Sequence, residues 1–580
     1  MVPGIVRRVV LRGWVWLATA AAAAGAMSPS TPAASGQPAP EAGASSVLKI
    51  KAAQASIRTV GGPAGGAWNL WSNGRVGEYL RIAKGGQYRI VVVARGSRAG
   101  GVWPRMAVLI DGSPASTASV DSEKPAGHTF LVKLAAGVHE VAVAFTNDAV
   151  IGKEDRNLYV QTIEIHPPPG AAAPALAPAS EVADMAARQE QKLLASLDAE
   201  IERHRKGEAT VQVVGADGRP VAGAQVEVKQ ESHDFLFGCN IYRFDRFSRP
   251  EHNEAYKKRF AELLNYATVG FYWRSYEPQR GKPRYDYTDR VVAWCRRHDI
   301  RMKGHPLLWG HGAGVPVWSK GQPPAAVQKK RVTDIVRRYA GKIRSWEVVN
   351  EPSHCRGVRI DQPYRWARQA DANAYLIVND YYVMATGYLP FYQLLKEAKA
   401  DGVPFDGIGI QAHEPRTMRF PLAKVRGILD KYATLGKELH ITEFTPCSAG
   451  QRITGSHLKG VWNETTQADY ATKFYKTCFA HPAVVAITWW DLCDNGSWLK
   501  GGGMLRADMS PKPVYLALKK LIHEQWKTHL RGKTDSGGTY SFRGFRGRYA
   551  LTARTPAGTV QAKRHLKKGA RNQWVIRLRG

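Results

Sequence analysis

Cysteine is scarce in this chain, with six residues in a length of 580. Their scatter excludes a disulfide-stapled scaffold and a cysteine-rich zinc site. Cys447 and Cys493 each lie a few residues beyond a predicted strand, which is compatible with one bridge between neighbouring loops. Buried free thiols are the more usual interpretation. The full set is Cys239, Cys295, Cys355, Cys447, Cys478 and Cys493.

Acidic residues are also few, with 49 Asp and Glu against 82 Lys and Arg, giving a net charge of +33. Such a balance attracts nucleic acid, anionic membranes or acidic polysaccharides. The charge is spread along the chain and no nucleic-acid motif accompanies it, so a merely basic surface is the other interpretation. We expect a polysaccharide partner, no nucleic acid, and a monomer.

Long apolar runs are missing after the first residues, so the sequence predicts no membrane span. The segment 1–26 has Arg7, Arg8 and Arg12, an apolar stretch and an alanine run ending in small residues. This pattern is typical of a cleaved secretory signal, and we expect a secreted protein, extracellular or periplasmic. Residues 27–46 are rich in Pro, Ala, Ser and Gly, which predicts a disordered spacer.

The length predicts several domains, because single cores rarely exceed about 250 to 300 residues. Residues 47–166 contain short alternating strands punctuated by glycine-rich turns, which predicts a β-sandwich. Residues 167–206 read as a Pro/Ala linker followed by a helix. Two strand-like runs within residues 207–234 predict a β-hairpin, and residues 527–580 predict a small β domain.

Between residues 235 and 526 the pattern alternates strand and helix, which predicts the α/β class and a (β/α)8 TIM barrel. A doubly wound open sheet is the rival, but the glycine-rich turn expected after its first strand is missing. The eight predicted strands are Phe235–Ile241, Ala267–Tyr272, Met302–Leu308, Ser345–Glu351, Ala374–Asp380, Gly407–His413, Glu438–Phe444 and Val484–Trp490.

Two of these strands end in carboxylates, Glu351 and Glu443, which a barrel places on opposite sides of its mouth. Two acids facing each other across a sugar suffice for glycoside hydrolysis. The other strand ends carry hydrogen-bonding groups and flat aromatic rings, as a sugar cleft requires. These candidate substrate-binding residues are His305, Trp309, Asn350, Gln411, His413, Trp490 and Trp498.

Hard oxygen ligands cluster near the end of the first β domain, beside Trp68, Trp71 and Trp103. They suit a calcium ion next to a sugar-binding face, although Asx residues in loops often only cap turns. With the run 101–104 these residues resemble the calcium-dependent xylan-binding modules, in which the metal contacts sugar hydroxyls. The candidate ligands are Asn147, Asp148, Asp155 and Asn157.

The motifs of the barrel resemble glycoside hydrolase family 10, the retaining endo-1,4-β-xylanases. They are the runs 304–309, 346–352, 406–413, 441–443 and 497–498, in the family's order. The resemblance implies that Glu351 is the general acid/base and Glu443 the nucleophile, and catalysis needs no cofactor. We expect Glu351 to be protonated, Glu443 to be ionised with help from His413, and the two carboxyl groups to lie about 5 to 5.5 Å apart.

Three departures from the family concern the grip on the sugar two places from the cleaved bond. Thr268, Val269 and Tyr272 stand where the family has Glu, Asn and Lys. Gly310 and Thr445 replace a His and an Asp near the catalytic strands. A β-glucanase or another β-glycanase, and a secreted carbohydrate-binding or adhesion protein without turnover, therefore remain alternatives.

Overall fold

The computed structural model describes residues 47–152, 154–355, 357–454, 458–556 and 558–578. The predicted signal (1–26) and spacer (27–46) lie outside the described residues. Within those ranges, no helix is both long enough and apolar enough to cross a bilayer. All six cysteines are free thiols, so the Cys447–Cys493 bridge is not formed, and five of the six are buried.

The N-terminal domain consists of two six-stranded sheets facing each other, as the alternating pattern predicts, and a separate two-stranded sheet. Their inner faces bury a core that includes Val92, Val143 and Ile163. The strands are β1 (Leu48–Lys51), β2 (Ile57–Arg58), β3 (Gly62–Ala64), β4 (Ala67–Leu70), β5 (Gly74–Ile82), β6 (Gly86–Ser97), β7 (Arg105–Ile110), β8 (Ser113–Ser119), β9 (Ala126–Leu134), β10 (Gly137–Phe145), β11 (Val150–Ile151), β12 (Glu154–Asp155), β13 (Asn157–His166) and β14 (Ala175–Leu176).

The connecting helix α1 (Ala179–Arg205) packs Leu197 and Ile201 into the core of the barrel. It leads into β15 (Lys206–Val214) and β16 (Gln225–His233). The structure places these two strands in different sheets instead of the predicted hairpin. Both have apolar residues on one face, so each needs a partner sheet, which comes from the far end of the chain.

Eight parallel strand positions form the closed sheet of the predicted (β/α)8 barrel. The third predicted strand is divided, because Pro306 has no N–H to continue the ladder. The barrel strands are β17 (Leu236–Asn240), β18 (Tyr266–Gly270), β19 (Arg301–His305) with β20 (Leu308–Trp309), β21 (Ser345–Asn350), β22 (Tyr375–Asp380), β23 (Gly407–Ile410), β24 (Glu438–Phe444) and β25 (Val484–Trp489).

Helices cover the outside of the barrel. Short 3-10 turns at 312–314 and 414–416 lie among its loops, and a π-helical turn at 521–525 ends it. The α-helices are α2 (Pro250–Leu263), α3 (Trp273–Tyr276), α4 (Tyr285–Arg297), α5 (Ala325–Arg338), α6 (Asp361–Ala370), α7 (Val383–Thr386), α8 (Leu389–Ala400), α9 (Leu422–Ala433), α10 (Glu464–Ala480) and α11 (Pro513–Lys520).

The C-terminal strands complete the sheets begun by β15 and β16. One sheet has the order β27-β15-β30 and the other β26-β16-β28-β29, where the last five strands are β26 (His529–Lys533), β27 (Thr539–Phe545), β28 (Gly547–Thr555), β29 (Gly558–Leu566) and β30 (Gln573–Arg577). Val211, Val228 and Leu551 are fully buried between them. The barrel is therefore inserted into a second sandwich, which we call the split sandwich (206–233 and 529–577).

Candidate active site

Glu351 and Glu443 both lie at the C-terminal ends of barrel strands, where this fold places its chemistry. Glu351 follows β21 with a φ of 54°, a left-handed conformation that is uncommon for residues other than glycine. Its N–H donates to the Asn379 carbonyl at 2.9 Å, so the bend is fixed by the next strand. Glu443 lies within β24 and is 4% exposed.

Glu351 accepts a hydrogen bond on each carboxylate oxygen. Trp309 Nε1 donates to Oε2 at 2.9 Å, and Gln411 Nε2 donates to Oε1 at 2.8 Å. The Cys355 thiol lies 3.4 Å from Oε2 and is the third group that contacts this carboxylate. These neighbours fix the orientation of Glu351 toward the centre of the mouth.

Glu443 is held by two nitrogen groups. Asn379 Nδ2 donates to Oε1 at 2.9 Å and also to Asn350 Oδ1 at 2.9 Å, while His413 Nε2 lies 2.8 Å from Oε2. Burial raises the pKa of Glu443, with the Glu347 and Glu351 carboxylates adding to the rise and His305 and Lys303 opposing it. The sequence predicts an ionised Glu443, whereas burial and the two neighbouring carboxylates favour its protonated form.

A buried ionic cluster lies directly beneath Glu443. Lys303 and His305 both bond to Glu347, and Lys303 and Glu347 are 0% exposed. A ring nitrogen of His305 and carboxylate oxygens of Glu347 and Glu443 lie within 4.8 Å of one another. Lys303 on β19 thus offsets part of the negative charge that the carboxylates place at the bottom of the mouth.

Aromatic rings line one side of the mouth, from the eighth strand position to the third. Trp490 packs edge-on against Tyr242 at 5.5 Å, and Tyr242 packs against Tyr272 at 5.7 Å between ring centroids. Tyr272 continues to Trp309 at 6.0 Å. Trp498 is 57% exposed and contacts the His413 ring at 4.6 Å, so it is the ring most open to a ligand.

All seven residues predicted to bind substrate lie around the two carboxylates. Asn350, Gln411 and His413 belong to their hydrogen-bond network, and Trp309 bonds Glu351 directly. His305 is turned inward: one ring nitrogen bonds Glu347 and the other lies 3.2 Å from the Tyr272 hydroxyl. Trp490 is 7% exposed and forms the inner wall.

Several groups of the site were not identified as site residues from the sequence. Lys303 and Glu347 are charged residues inside apolar strands. A charge at such a position could have been recognised from the sequence as a candidate site residue. Asn379 stands at a predicted strand end and could have been included on the same grounds as Asn350. Tyr242 and Cys355 lie in loops after strand ends, and no local pattern distinguishes them.

At positions 268 and 269, where the family has polar residues that bind sugar, neither side chain of this protein reaches the mouth of the barrel. Thr268 is 0% exposed and Val269 is buried within β18, so neither presents a side chain to solvent. Tyr272 fills the third place and contributes a ring and a hydroxyl in place of a cation. Thr445 is also buried, and its hydroxyl lies 3.0 Å from His413 Nδ1.

The predicted calcium ligands divide into two groups. Asn147 is committed to the backbone, accepting from Arg105 N at 2.5 Å and donating to the Trp103 carbonyl at 2.9 Å. Asp148 Oδ1 and Asn157 Oδ1 are buried without a hydrogen-bond partner among the described residues. Burial, with Asp155 adding, raises the pKa of Asp148 to about 7. Asp155 is exposed, and its Oδ2 accepts from Asn157 Nδ2 at 2.9 Å. Carboxylate and amide oxygens without a hydrogen-bond partner fit a hard cation such as Ca²⁺.

Two family models match parts of this chain. Residues 89–175 match the Ca-dependent, xylan-binding carbohydrate-binding module. The anti-sigma-I factor RsgI6 of Acetivibrio thermocellus is 27% identical over 63% of this chain and 47% of its own length. Endo-1,4-beta-xylanase 2 of Arabidopsis thaliana is 26% identical over 60% of this chain and 32% of its own. The chain thus covers less than two thirds of the length of these two relatives.

Two further matches cover the barrel. Endo-1,4-beta-xylanase B of Thermotoga neapolitana is 28% identical over 44% of this chain and 79% of its own length. The structure of xylanase 10B from Thermotoga petrophila RKU-1 in complex with xylobiose is 25% identical, covers 50% of this chain and 95% of its own, and gives a TM-score of 0.43. Residues 229–521 match glycosyl hydrolase family 10, and the chain belongs to this family of glycoside hydrolases.

Proposed function

We propose that this protein is a secreted endo-β-1,4-xylanase that hydrolyses internal bonds of xylan or a related hemicellulose with retention of configuration. The observation that carries the proposal is the pair of carboxylates at the barrel mouth, each accepting hydrogen bonds from neighbouring side-chain nitrogens and lying beside a wall of aromatic rings. The names of the relatives support the same substrate class.

In the proposed mechanism Glu443 attacks the anomeric carbon while Glu351 protonates the departing glycosidic oxygen. A covalent glycosyl-enzyme forms, and Glu351, now a base, activates the water that releases the sugar. Asn379 holds Glu443 in position and orients Asn350, and we propose that the Asn350 amide binds the sugar hydroxyl next to the reacting carbon. A separation of about 5 to 5.5 Å between the two carboxyl groups is the geometric requirement of this route.

The test is reducing-sugar release from xylan by the wild type, Glu443→Ala and Glu351→Ala, together with NMR of the first anomer formed. Glu438→Ala is the matched control, because Glu438 is an exposed acid at the opposite end of β24. We expect Glu443→Ala to lose activity by a factor of 10³ or more, on the order of 4 kcal/mol in transition-state binding, and the control to keep it. Unchanged activity in Glu443→Ala, or inversion of the anomer, contradicts the proposal.

The preferred β-glycan has to be tested separately. Residues 268, 269 and 272 differ from those usual in the family, so the second sugar should be bound differently. Each lost hydrogen bond is worth about 0.5 to 1.5 kcal/mol. A panel of xylan, glucuronoxylan, arabinoxylan, mixed-linkage β-glucan and carboxymethylcellulose distinguishes the candidates. Preference for glucans would assign a β-glucanase, and binding without turnover on all of them would assign a carbohydrate-binding protein.

For the N-terminal sandwich we propose calcium-dependent binding of xylan, with Asp148, Asp155 and Asn157 holding the ion. Bound calcium would supply a positive centre for sugar hydroxyls. Chelation by EDTA should abolish retention on insoluble xylan and leave hydrolysis of soluble xylo-oligosaccharides unchanged. Equal retention with EDTA and with added calcium contradicts a metal requirement.

We further propose that the polysaccharide bound by this protein carries uronate groups and is therefore acidic. Residues 527–580 contain one acid, Asp535, among many cations, and Lys567, Lys568 and Arg571 are exposed in one turn. Binding to glucuronoxylan should weaken with added salt more than binding to neutral arabinoxylan. Secretion is proposed from the predicted signal and is checked by N-terminal sequencing of the exported protein. A monomeric state is proposed as well and is checked by light scattering.

A further inference from the structure

His413 lies between the side chains of Glu443, in β24, and Thr445, the first residue after that strand. Its Nε2 is 2.8 Å from Glu443 Oε2, and its Nδ1 is 3.0 Å from Thr445 Oγ1. All three residues are buried, so these contacts are not exchanged with water. His413 therefore has one partner for each ring nitrogen.

The Thr445 hydroxyl has a single hydrogen, and its position decides the tautomer of His413. Oγ1 lies 2.9 Å from the backbone carbonyl oxygen of Glu443, which can only accept. The hydroxyl hydrogen is donated there, so Oγ1 accepts from Nδ1–H. A neutral His413 consequently turns the lone pair of Nε2 toward Glu443 Oε2.

Two acceptors cannot face each other at 2.8 Å without a proton between them. Either His413 is an imidazolium beside an ionised Glu443, or His413 is neutral beside a protonated Glu443. An aspartate at position 445, as the family usually has, would stabilise the imidazolium by its charge. Threonine accepts the same hydrogen bond but brings no charge.

We propose that Thr445 is a positioning residue that makes His413 and Glu443 share one proton, so that Glu443 becomes fully nucleophilic only when this proton leaves. The inference rests on the role proposed above for Glu443 and adds a control on its ionisation. No chemical step changes: the proton goes to solvent, and the carboxylate then attacks as described.

Some of the charged groups around His413 and Glu443 favour protonation of these side chains, and others oppose it. β19 contributes Lys303 and His305, β21 and its end contribute Glu347 and Glu351, the loop after β23 contributes Glu414 and Arg416, and the loop after β25 contributes Asp491. Burial lowers the pKa of His413 to about 4, Glu414 opposes this shift, and Arg416 adds to it. The surroundings therefore favour the neutral imidazole and the protonated carboxyl.

The sign of the pH dependence follows from the raised pKa of Glu443. The carboxyl is protonated below that pKa and becomes ionised as pH rises through it. We expect the acid limb of kcat/KM to lie at higher pH than for an unperturbed glutamate. In Thr445→Asp the limb should move to lower pH by about one unit or more.

The kinetic test compares pH profiles of kcat/KM for the wild type, Thr445→Asp and Thr445→Ser. Thr445→Ser keeps the hydroxyl and is the matched control, so its profile should coincide with that of the wild type. Thermal unfolding of all three shows whether the fold is intact. Coincident acid limbs in the wild type and Thr445→Asp would overturn the inference.

A second measurement does not need activity. In protein labelled with ¹⁵N-histidine, the His413 signals are assigned by their loss in His413→Gln. We expect a protonated Nδ1 and an Nε2 without a full proton in the wild type, and both nitrogens protonated in Thr445→Asp. Identical spectra overturn the inference, whereas the expected spectra from an enzyme inactive on every glycan would overturn only the proposed function.

Discussion

Lys303 and Glu347, in the barrel interior, show how single residues directly beneath the catalytic carboxylates influence the site. Both are 0% exposed, and each is the other's compensating charge. A buried charge that loses its partner costs about 3 to 5 kcal/mol of stability. The pair therefore matters for folding as well as for the electrostatics beneath Glu443.

Lys303→Met is expected to destabilise the protein by about 3 to 5 kcal/mol, because it leaves Glu347 buried beside His305 alone. The double variant Lys303→Met/Glu347→Gln should recover much of this loss, since no charge is then uncompensated. Urea unfolding followed by tryptophan fluorescence measures both. Additive losses in the double variant would show that the two residues act independently.

The cluster of Lys303, His305 and Glu347 also makes the stability of the fold depend on pH. Burial alone would raise the pKa of Glu347, but Lys303 and His305 outweigh it and lower the pKa to about 2. Because the folded-state value is depressed, this contribution is present above the unfolded value near 4.5 and is lost as pH falls toward 2. Unfolding free energies measured from pH 6 to pH 2.5 should fall less steeply in Glu347→Gln than in the wild type.

At the level of residues, the sequence identified the two carboxylates and their polar neighbours because these lie at strand ends. It did not predict that Cys355 touches Glu351 or that Tyr242 completes the aromatic wall, since loop conformation decides both contacts. The raised pKa of Glu443 comes from burial and from carboxylates on other strands, which no local pattern reveals.

Among the structural elements, the loop after β25 is the one that carries Trp498. Asp491 Oδ2 accepts from Trp498 N at 2.9 Å, and the buried Lys512 bonds Asp494 Oδ1 at 2.9 Å. Asp494 Oδ1 also accepts from Gly503 N at 2.9 Å. The loop is thus anchored at its base while its tip stays exposed.

Asp494→Ala is expected to raise KM several-fold with little change in kcat, because the loop positions a sugar-binding ring and does not touch the reacting bond. Asp508→Ala is the matched control, since Asp508 is an acid of the same loop whose side chain accepts from the nearby Ser510. Initial rates on xylo-oligosaccharides measure both. An equal effect of the two variants would contradict the anchoring role.

Elements with strong local patterns were predicted well, and those defined by distant partners were not. The eight barrel strands are present, with Pro306 dividing the third. The runs at 210–214 and 224–228 read as a hairpin because they are close in sequence. Their true partners lie some 300 residues away, and residue alternation within a strand does not say which strand it pairs with.

The whole molecule combines a barrel with two sandwiches of different construction. The N-terminal sandwich is continuous in sequence and has its own core. The split sandwich shares its strands between both ends of the barrel, and Arg205, before its first strand, donates to the Val484 carbonyl of β25 at 2.7 Å. The two should therefore respond differently to removal.

Deleting residues 528–580 is expected to lower the melting temperature of the barrel or to make the protein insoluble, because it exposes the apolar faces of β15 and β16. Deleting residues 47–170 should leave both barrel melting and hydrolysis of soluble oligosaccharides unchanged. Calorimetry and activity assays compare the two truncations. Equal tolerance of both would contradict the dependence of the barrel on the split sandwich.

The insertion of the barrel also sets an order of events on the ribosome. When β15 and β16 leave the exit tunnel, the strands that cover them have not yet been translated. The nascent chain has to keep two half-built sheets from associating with neighbours until the last segment emerges. Strands β26 to β30 thus finish a structure begun before the catalytic part, and recombination at either barrel boundary would transfer only half of it.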